Sequence, residues 1–364
     1  MNPNPHLRAT KTAVLLLNLG TPSAPTPKAV RAYLKEFLSD PRVVEIPRVI
    51  WWFILNGIIL PIRSSASAKK YASIWLPQLG SPLMHYSRLQ AKALGEKFAH
   101  EGHTVLVDLA MRYGQPTIQE ALDSLQAQGM ERLLLLPLYP QYSATTTASS
   151  FDETFRVLTT WRNQPELRLV KHYHDNPAYI AALRDQVLSA WDKDGHPDFL
   201  RGDRFVMSFH GLPKRNLMKG DPYHCECLKT GRLLGEALGL EEGQYIVTFQ
   251  SRFGKAEWLK PYTAPTIEQL AKDGCTRVDI FCPGFPADCL ETLEEIGMEA
   301  KEIFLDHGGK DYRYISCLNS NPKWIDALSD IAYQHMLGWT LGSESKEQLT
   351  QRAQRAQLAE NAKT

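Results

Sequence analysis

The chain carries no excess of either charge, no cysteine before residue 225, no glycine-rich phosphate loop and no apolar run long enough to read as a bilayer span. Each absence excludes something. With 41 basic against 40 acidic side chains the net charge is +1, so composition supports neither a nucleic-acid surface nor a polybasic membrane patch. Affinity for a partner has to come from a local site. Residues 1–10 are polar and lack an apolar signal core, so no secretory signal is expected and the protein is read as cytoplasmic. Neither a G-x-G-x-x-G nor a Walker-type loop follows the opening strand of either half, which counts against a dinucleotide or nucleotide site. The six cysteines (Cys225, Cys227, Cys275, Cys282, Cys289, Cys317) read as intracellular thiols rather than disulfides, which leaves metal binding open.

The longest apolar stretch, 49–62 (V-I-W-W-F-I-L-N-G-I-I-L-P-I), is interrupted by Asn56-Gly57 and by Pro61, and is too short to cross a bilayer. It reads either as a core helix or as an exposed lip. Trp51, Trp52 and Phe53 cannot all face inward from so short a piece, so part of this surface is expected to meet a flat apolar ligand or a membrane interface.

What is present is a regular alternation. Apolar strand patterns occur at 13–19, 104–109, 132–138 and 167–173, and again at 204–209, 244–249, 277–282 and 312–316. Helical patterns lie between them, at 28–38, 88–99, 117–128, 229–238, 264–272 and 288–303. Four strands alternating with helices, twice over, predict two doubly wound α/β domains with parallel sheets covered on both faces. With 364 residues, 43% of them hydrophobic, there is core enough for both. The halves also open alike: L-L-L-N-L-G-T-P at 15–22 and V-M-S-F-H-G-L-P at 206–213 each run from an apolar strand to a polar side chain, then Gly, then Pro. After Leu341 the chain is polar, has no aromatic residue and reads as a solvated tail.

Two stretches carry candidate chemistry. The run R-F-V-M-S-F-H-G-L-P at 204–213 reads as a buried strand that ends at His210 before a turn. Ligands of open α/β sheets bind at the carboxyl ends of strands, so His210 either caps its strand or meets a substrate or metal. The run F-C-P-G-F-P-A-D-C-L-E-T-L-E-E-I-G at 281–297 reads as a strand end followed by a helix near Asp288. Asp288, Glu291 and Glu295 then fall at i, i+3 and i+7, on one face. That stripe is either a solvated surface or an enclosed set of carboxylates, which would take up protons or cations. Facing His210, it would offer ligands suited to Fe²⁺ and bases for proton removal.

Both stretches match signature segments of the ferrochelatases, as S-F-H-G-L-P at 208–213 and D-C-L-E-T-L-E-E-I at 288–296. The chain resembles that family, whose members insert ferrous iron into a porphyrin. Further segments agree in family order over about residues 13–320: L-L-N-L-G-T-P at 16–22, F-L-S-D-P-R-V at 37–43, M-R-Y at 111–113, L-Y-P-Q-Y-S at 138–143 and F-Q-S-R-F-G at 249–254. The resemblance implies the chelatase fold, two similar Rossmann-like domains with a four-stranded parallel sheet in each. The domains would cover 10–175 and 176–340, with a tail at 341–364.

It also implies roles. His210 corresponds to the family's active-site histidine, metal ligand or acceptor of a pyrrole proton, Glu291 to the carboxylate across the porphyrin, with His210 and Glu291 the implied metal ligands, and Glu295 to the next acid of a proton or metal path. Leu19, Tyr113, Trp258 and the segment 51–53 correspond to the porphyrin pocket or its lip. Arg112, Arg63, Ser64 and Ser81 lie in segments that contact porphyrin carboxylates. The expected partners are protoporphyrin IX and Fe²⁺ as substrates, with no tightly bound cofactor, no nucleic acid, a peripheral membrane contact through 49–62, and no specified oligomer. Coproporphyrin is the alternative substrate, insertion of cobalt or nickel the alternative metal chemistry, and a non-catalytic tetrapyrrole carrier the alternative class. Cys289 stands where animal members carry a histidine, and is read as a small buried thiol. The segment His224-Cys225-Glu226-Cys227 is read as a helix start rather than a [2Fe–2S] site.

Overall fold

The structure, a computed structural model, describes residues 11–254 and 256–342; residues 1–10 and nearly all of the polar tail lie outside it. Strands β1 (Lys11–Gly20), β2 (Leu106–Tyr113), β3 (Met130–Pro137) and β4 (Glu166–Leu169) form one parallel sheet in the order β2-β1-β3-β4. Strands β5 (Arg204–His210), β6 (Tyr245–Gln250), β7 (Arg277–Phe281) and β8 (Asp311–Tyr314) form a second in the order β6-β5-β7-β8. The two orders are the same. All eight predicted strands are present, and the likeness between 15–22 and 206–213 marks equivalent places. β1 and β5 are the strands from which the order runs both ways, so their carboxyl ends are the two switch points where such sheets bind ligands.

Burial explains why both central strands read as unbroken apolar runs. Ala13, Leu15 and Leu17 of β1 pack into a cluster with Ile118, Leu122 and Phe151, while Val14 and Leu16 face the other way. Those two join the largest core, with Phe205, Met207 and Phe209 of β5 and with Trp324 and Leu328 of the helix Pro322–Met336. Val206 faces a third cluster with Ile267 and Phe304. One core is thus shared between the sheets.

Two strand ends differ from expectation by four residues, the other boundaries by at most two. β2 runs on to Tyr113 because its ladder with β1 continues through Asn18–Met111 and Gly20–Tyr113, although Arg112 interrupts the apolar pattern that pointed to residue 109 as its end. Gly20 is required there: at φ +112° an added Cβ would sit 1.8 Å from the Tyr113 carbonyl oxygen. β4 stops at Leu169, and 170–173, expected as strand, is irregular.

The apolar stretch 49–62 belongs to a longer helix, Arg48–Ile74, which by length and composition is long and apolar enough to cross a membrane. Asn56-Gly57 and Pro61 do not end it. A wide π turn at Leu55–Ile59 precedes Pro61, which then occupies the start of the next α segment, where its missing N–H costs nothing. The later half is docked: Ala68, Tyr71 and Ile74 pack with Val30, Leu290 and Leu293. In the earlier half Leu55 and Leu60 are buried but the other face is bare, with Val49 73%, Phe53 65% and Ile62 69% exposed.

Three elements of the first half meet at one buried carboxylate. Asp40 Oδ2 accepts from Arg112 Nη2 (2.6 Å), Tyr113 Oη (2.8 Å) and Ser149 Oγ (2.5 Å), and its Oδ1 accepts from the Arg42 N–H (2.7 Å). Burial by itself would raise the Asp40 carboxyl, but the hydrogen bonds from Ser149, Arg42 and Tyr113 and the charge of Arg112 outweigh it and hold the group below its ordinary value. A carboxyl depressed on folding contributes stability above its unfolded value, about 3.9, that is lost as pH falls through the folded value. Asp40→Asn should therefore cost roughly 3 kcal/mol at pH 7, since it leaves Arg112 half-buried and unpaired. In urea denaturation the gap to wild type should narrow as pH falls below about 4; a gap independent of pH would contradict this account of Asp40.

Candidate functional site

β5 delivers His210, half-buried, to the switch point of the second sheet. Its Nδ1 lies 2.6 Å from the carbonyl oxygen of Gly211. A carbonyl can only accept, so the proton sits on Nδ1 and the Nε2 lone pair is left bare. The turn behind the ring is tight. Gly211 N–H donates to Gln250 O (2.8 Å), and a Cβ on Gly211 would fall 2.5 Å from that oxygen and 3.2 Å from Trp258 Cε3. Trp258 is held beside this turn by a bridge to Pro213 and by Leu259 N–H donating to Leu212 O (2.9 Å).

The acid wall follows β7. Residues Glu291–Glu299 form a π-helix, not the α-helix expected, and it begins after Asp288. Asp288 is consequently not a member of the stripe. It is buried, and its carboxylate accepts from Tyr314 Oη, Thr292 Oγ1 (3.1 Å) and Asn319 Nδ2 (2.6 Å), tying the helix start to the end of β8. Glu295 accepts from Ser251 N–H (2.5 Å) and Ser251 Oγ (2.5 Å), with Gln250 Nε2 at 3.4 Å. Ser251 adopts φ +62° to aim its N–H there, a left-handed conformation that costs a non-glycine residue roughly 1 kcal/mol. Gln250, the β-ladder partner of His210, also donates to the Glu291 carbonyl (2.8 Å) and accepts from Ser208 Oγ (2.8 Å). His210, Trp258, Glu291 and Glu295 are thereby gathered at one strand end.

Glu291 lies near Tyr33 and Tyr71: burial first, then Tyr71 and the Glu291 charge, push the Tyr33 phenol well above its ordinary value, and burial followed by the Glu291 charge does the same to Tyr71. Glu294, absent from the expected site, is buried, which raises its carboxyl, and it is bound by Lys70 Nζ (2.9 Å), which also reaches Glu299 (2.5 Å). Lys70 stands on the long apolar helix, so the lip and the acid wall are clasped together. Arg63 of the same helix lies over the Phe253 ring at 4.5 Å, reaching across to the segment after β6.

The first half contributes Leu19, half-buried at the end of β1, and the buried Ser81, whose Oγ accepts from Thr21 Oγ1 (2.9 Å). Arg112 and Tyr113 do not stand free: both are bound to Asp40, and Arg112 Nε also donates to Ser149 Oγ (2.7 Å). Ser64 Oγ turns back to Leu60 O (2.5 Å) within its helix. Trp51 Nε1 donates to Leu38 O (2.6 Å), while Trp52 and Phe53 are exposed, so the lip, not the core helix, describes this segment. Cys225 is exposed and Cys227 buried on one helix, and Cys289 is buried beside Glu291. Asp40, Gln250, Ser251 and Glu294 were missed as site residues. All four lie inside segments already singled out in the sequence, but their partners are remote in the chain.

An imidazole and two carboxylates brought to one strand end can take protons and hold a dication. The Ferrochelatase family model matches residues 11–336. The chain is 61% identical to a ferrochelatase of Herminiimonas arsenicoxydans over 93% of this chain and 90% of that one. It is 61% identical to a ferrochelatase of Janthinobacterium sp. (strain Marseille), with 92% and 89% covered, and 58% identical to one of Chromobacterium violaceum, with 92% and 91% covered. In fold it is similar to SirB from Bacillus subtilis with Fe³⁺, at 14% identity and TM-score 0.51 over 90% of this chain and 96% of that one. The sirohydrochlorin chelatase SirB from Bacillus subtilis subspecies spizizenii in complex with cobalt matches at 11% identity and TM-score 0.51, over 90% and 97%. With one family model spanning both sheets and relatives near 60% identity across nine-tenths of its length, the chain belongs to the ferrochelatase family.

Proposed function

We propose that this chain works on protoporphyrin IX, with His210 and Glu291 on opposite walls of the ring and Glu295 behind Glu291. As a ferrochelatase it inserts Fe²⁺ into a porphyrin with release of two protons, a lyase reaction of haem biosynthesis. The observation that carries the residue assignment is the tautomer of His210. With Nδ1–H given to Gly211 O, Nε2 is the atom that receives a pyrrole proton or binds the metal. Glu291 and Glu295, four residues apart on the widened helix, offer the path by which a proton leaves or iron arrives, and Ser251 and Gln250 hold the second of them in place. Trp258, Leu19 and the 51–53 segment clamp the ring, and Ser81, Arg112 and Arg63 flank the positions of its carboxylates. Arg112 can serve only through whatever donor capacity Asp40 leaves it.

We also propose that the protein works in the cytoplasm, resting on a membrane surface. The half-helix bearing Val49, Ile50, Trp52, Phe53, Ile58 and Ile62 supports this, since its continuation is docked onto the protein and the bare part is too short to span.

The insertion assignment is tested by anaerobic Fe²⁺ incorporation into protoporphyrin and coproporphyrin. His210→Ala should fold as wild type, by circular dichroism, and lose roughly 10²–10⁴-fold in rate, the usual cost of a general base. An alanine variant inserting iron at the wild-type rate would overturn the role of His210; ring binding without insertion by the wild type would mean a carrier; preference for coproporphyrin would replace the substrate. The membrane contact predicts that the full chain co-sediments with lipid vesicles and that the double variant Val49→Glu/Ile62→Glu stays in the supernatant. Equal sedimentation of the two proteins would rule out this helix as the contact.

A further inference from the structure

Outside the cleft, three metal-ligating side chains converge where the irregular segment after β4 meets the helix Tyr223–Ala237. His172 and His174, two residues apart on the extended chain, project to the same side with ring centroids 5.0 Å apart. Glu226 comes from the helix and is buried, 6% exposed. Its Oε1 lies 2.7 Å from His172 Nδ1 and its Oε2 3.5 Å from His174 Nδ1. One donor atom from each of the three lies within 4.8 Å of the others.

The second observation is an unpartnered atom. His174 is 6% exposed, yet its Nδ1, aimed at Glu226, has no hydrogen-bond partner among the described residues. A buried polar nitrogen left unpaired is costly, and a site of two imidazoles and one carboxylate around such an atom suits a borderline dication. The frame is rigid. Glu226 Oε2 accepts from Tyr142 N–H (2.7 Å), Thr230 Oγ1 donates to His174 O (2.8 Å), and Gln141 Nε2 donates to Thr230 Oγ1 (2.9 Å). The neighbouring Asp175 is engaged by Lys229 (2.5 Å) and is not needed as a ligand.

We propose that His172, His174 and Glu226 form a second divalent-metal site, for Zn²⁺ or Co²⁺, that fastens the segment after β4 to the helix Tyr223–Ala237. Two ligands come from the first half of the chain and one from the second, so an ion there cross-links the two. It shares no residue with the His210 cleft.

The test titrates Co²⁺ into the EDTA-treated full chain without porphyrin, followed by visible absorption and by metal analysis after desalting. The background is His210→Ala, which removes the cleft as a competitor. This protein should bind one Co²⁺ and gain roughly 3 °C or more in Tm. Adding His172→Ala, an exposed ring whose loss does not threaten folding, should weaken binding about tenfold or more and abolish the Tm gain. Glu226→Gln should do the same. Overturning results are no Co²⁺ bound to the His210→Ala protein, or unchanged affinity after His172→Ala. Neither bears on porphyrin insertion, which is read in a separate assay.

Discussion

One carboxamide couples the end of β5 to the acid helix. Gln250 pairs in the β-ladder with His210, accepts from Ser208 on the same strand, and sends its amide nitrogen to the carbonyl of Glu291 and the carboxylate of Glu295. Strand and acid helix therefore move as one body at this point, and the imidazole is referenced to the carboxylates through buried hydrogen bonds rather than through solvent. The chemistry needs that. In the proposed roles, with His210 and Glu291 on opposite faces of a flat ring, the two groups cannot be positioned by contact with each other, only by a shared support behind them.

The same logic runs through the supporting shell. Asp40 gathers Arg112, Tyr113 and Ser149 at the end of β2, Lys70 binds the lip helix to Glu294 and Glu299, and Arg63 crosses from that helix to the ring of Phe253. Glycine stands where backbones must touch. Gly20 lies against the Tyr113 carbonyl at the end of β1, and Gly211 against the Gln250 carbonyl at the end of β5. These are equivalent strand ends of two sheets with the same order, and close approach of neighbouring loops is needed at both to leave a cleft with firm edges.

Much of this was legible. The eight strands, their parallel arrangement and the placing of His210 at a strand end followed from apolar runs bounded by turn residues. The exposed aromatic lip followed from three large rings on one short segment. Other features were not. Asp288 lies on the predicted acid face only if the helix is α and already begun; in the structure it precedes a π-helix and is spent on Tyr314, Thr292 and Asn319. Arg112, expected as a partner of porphyrin carboxylates, is paired within the protein to Asp40, 72 residues away in the chain.

The sequence alone determined what depends on local pattern: strand and helix periodicity, the strand-end histidine, and the motifs that mark the ferrochelatase family. Tertiary structure decided which charges are paired, that Asp288 is spent on internal hydrogen bonds, and that His172, His174 and Glu226 meet. Periodicity reports which side of an element is apolar because burial acts residue by residue. Hydrogen-bond partners are chosen only when distant segments pack, and the 51 residues of intervening chain between His174 and Glu226 carry no signal that they will touch.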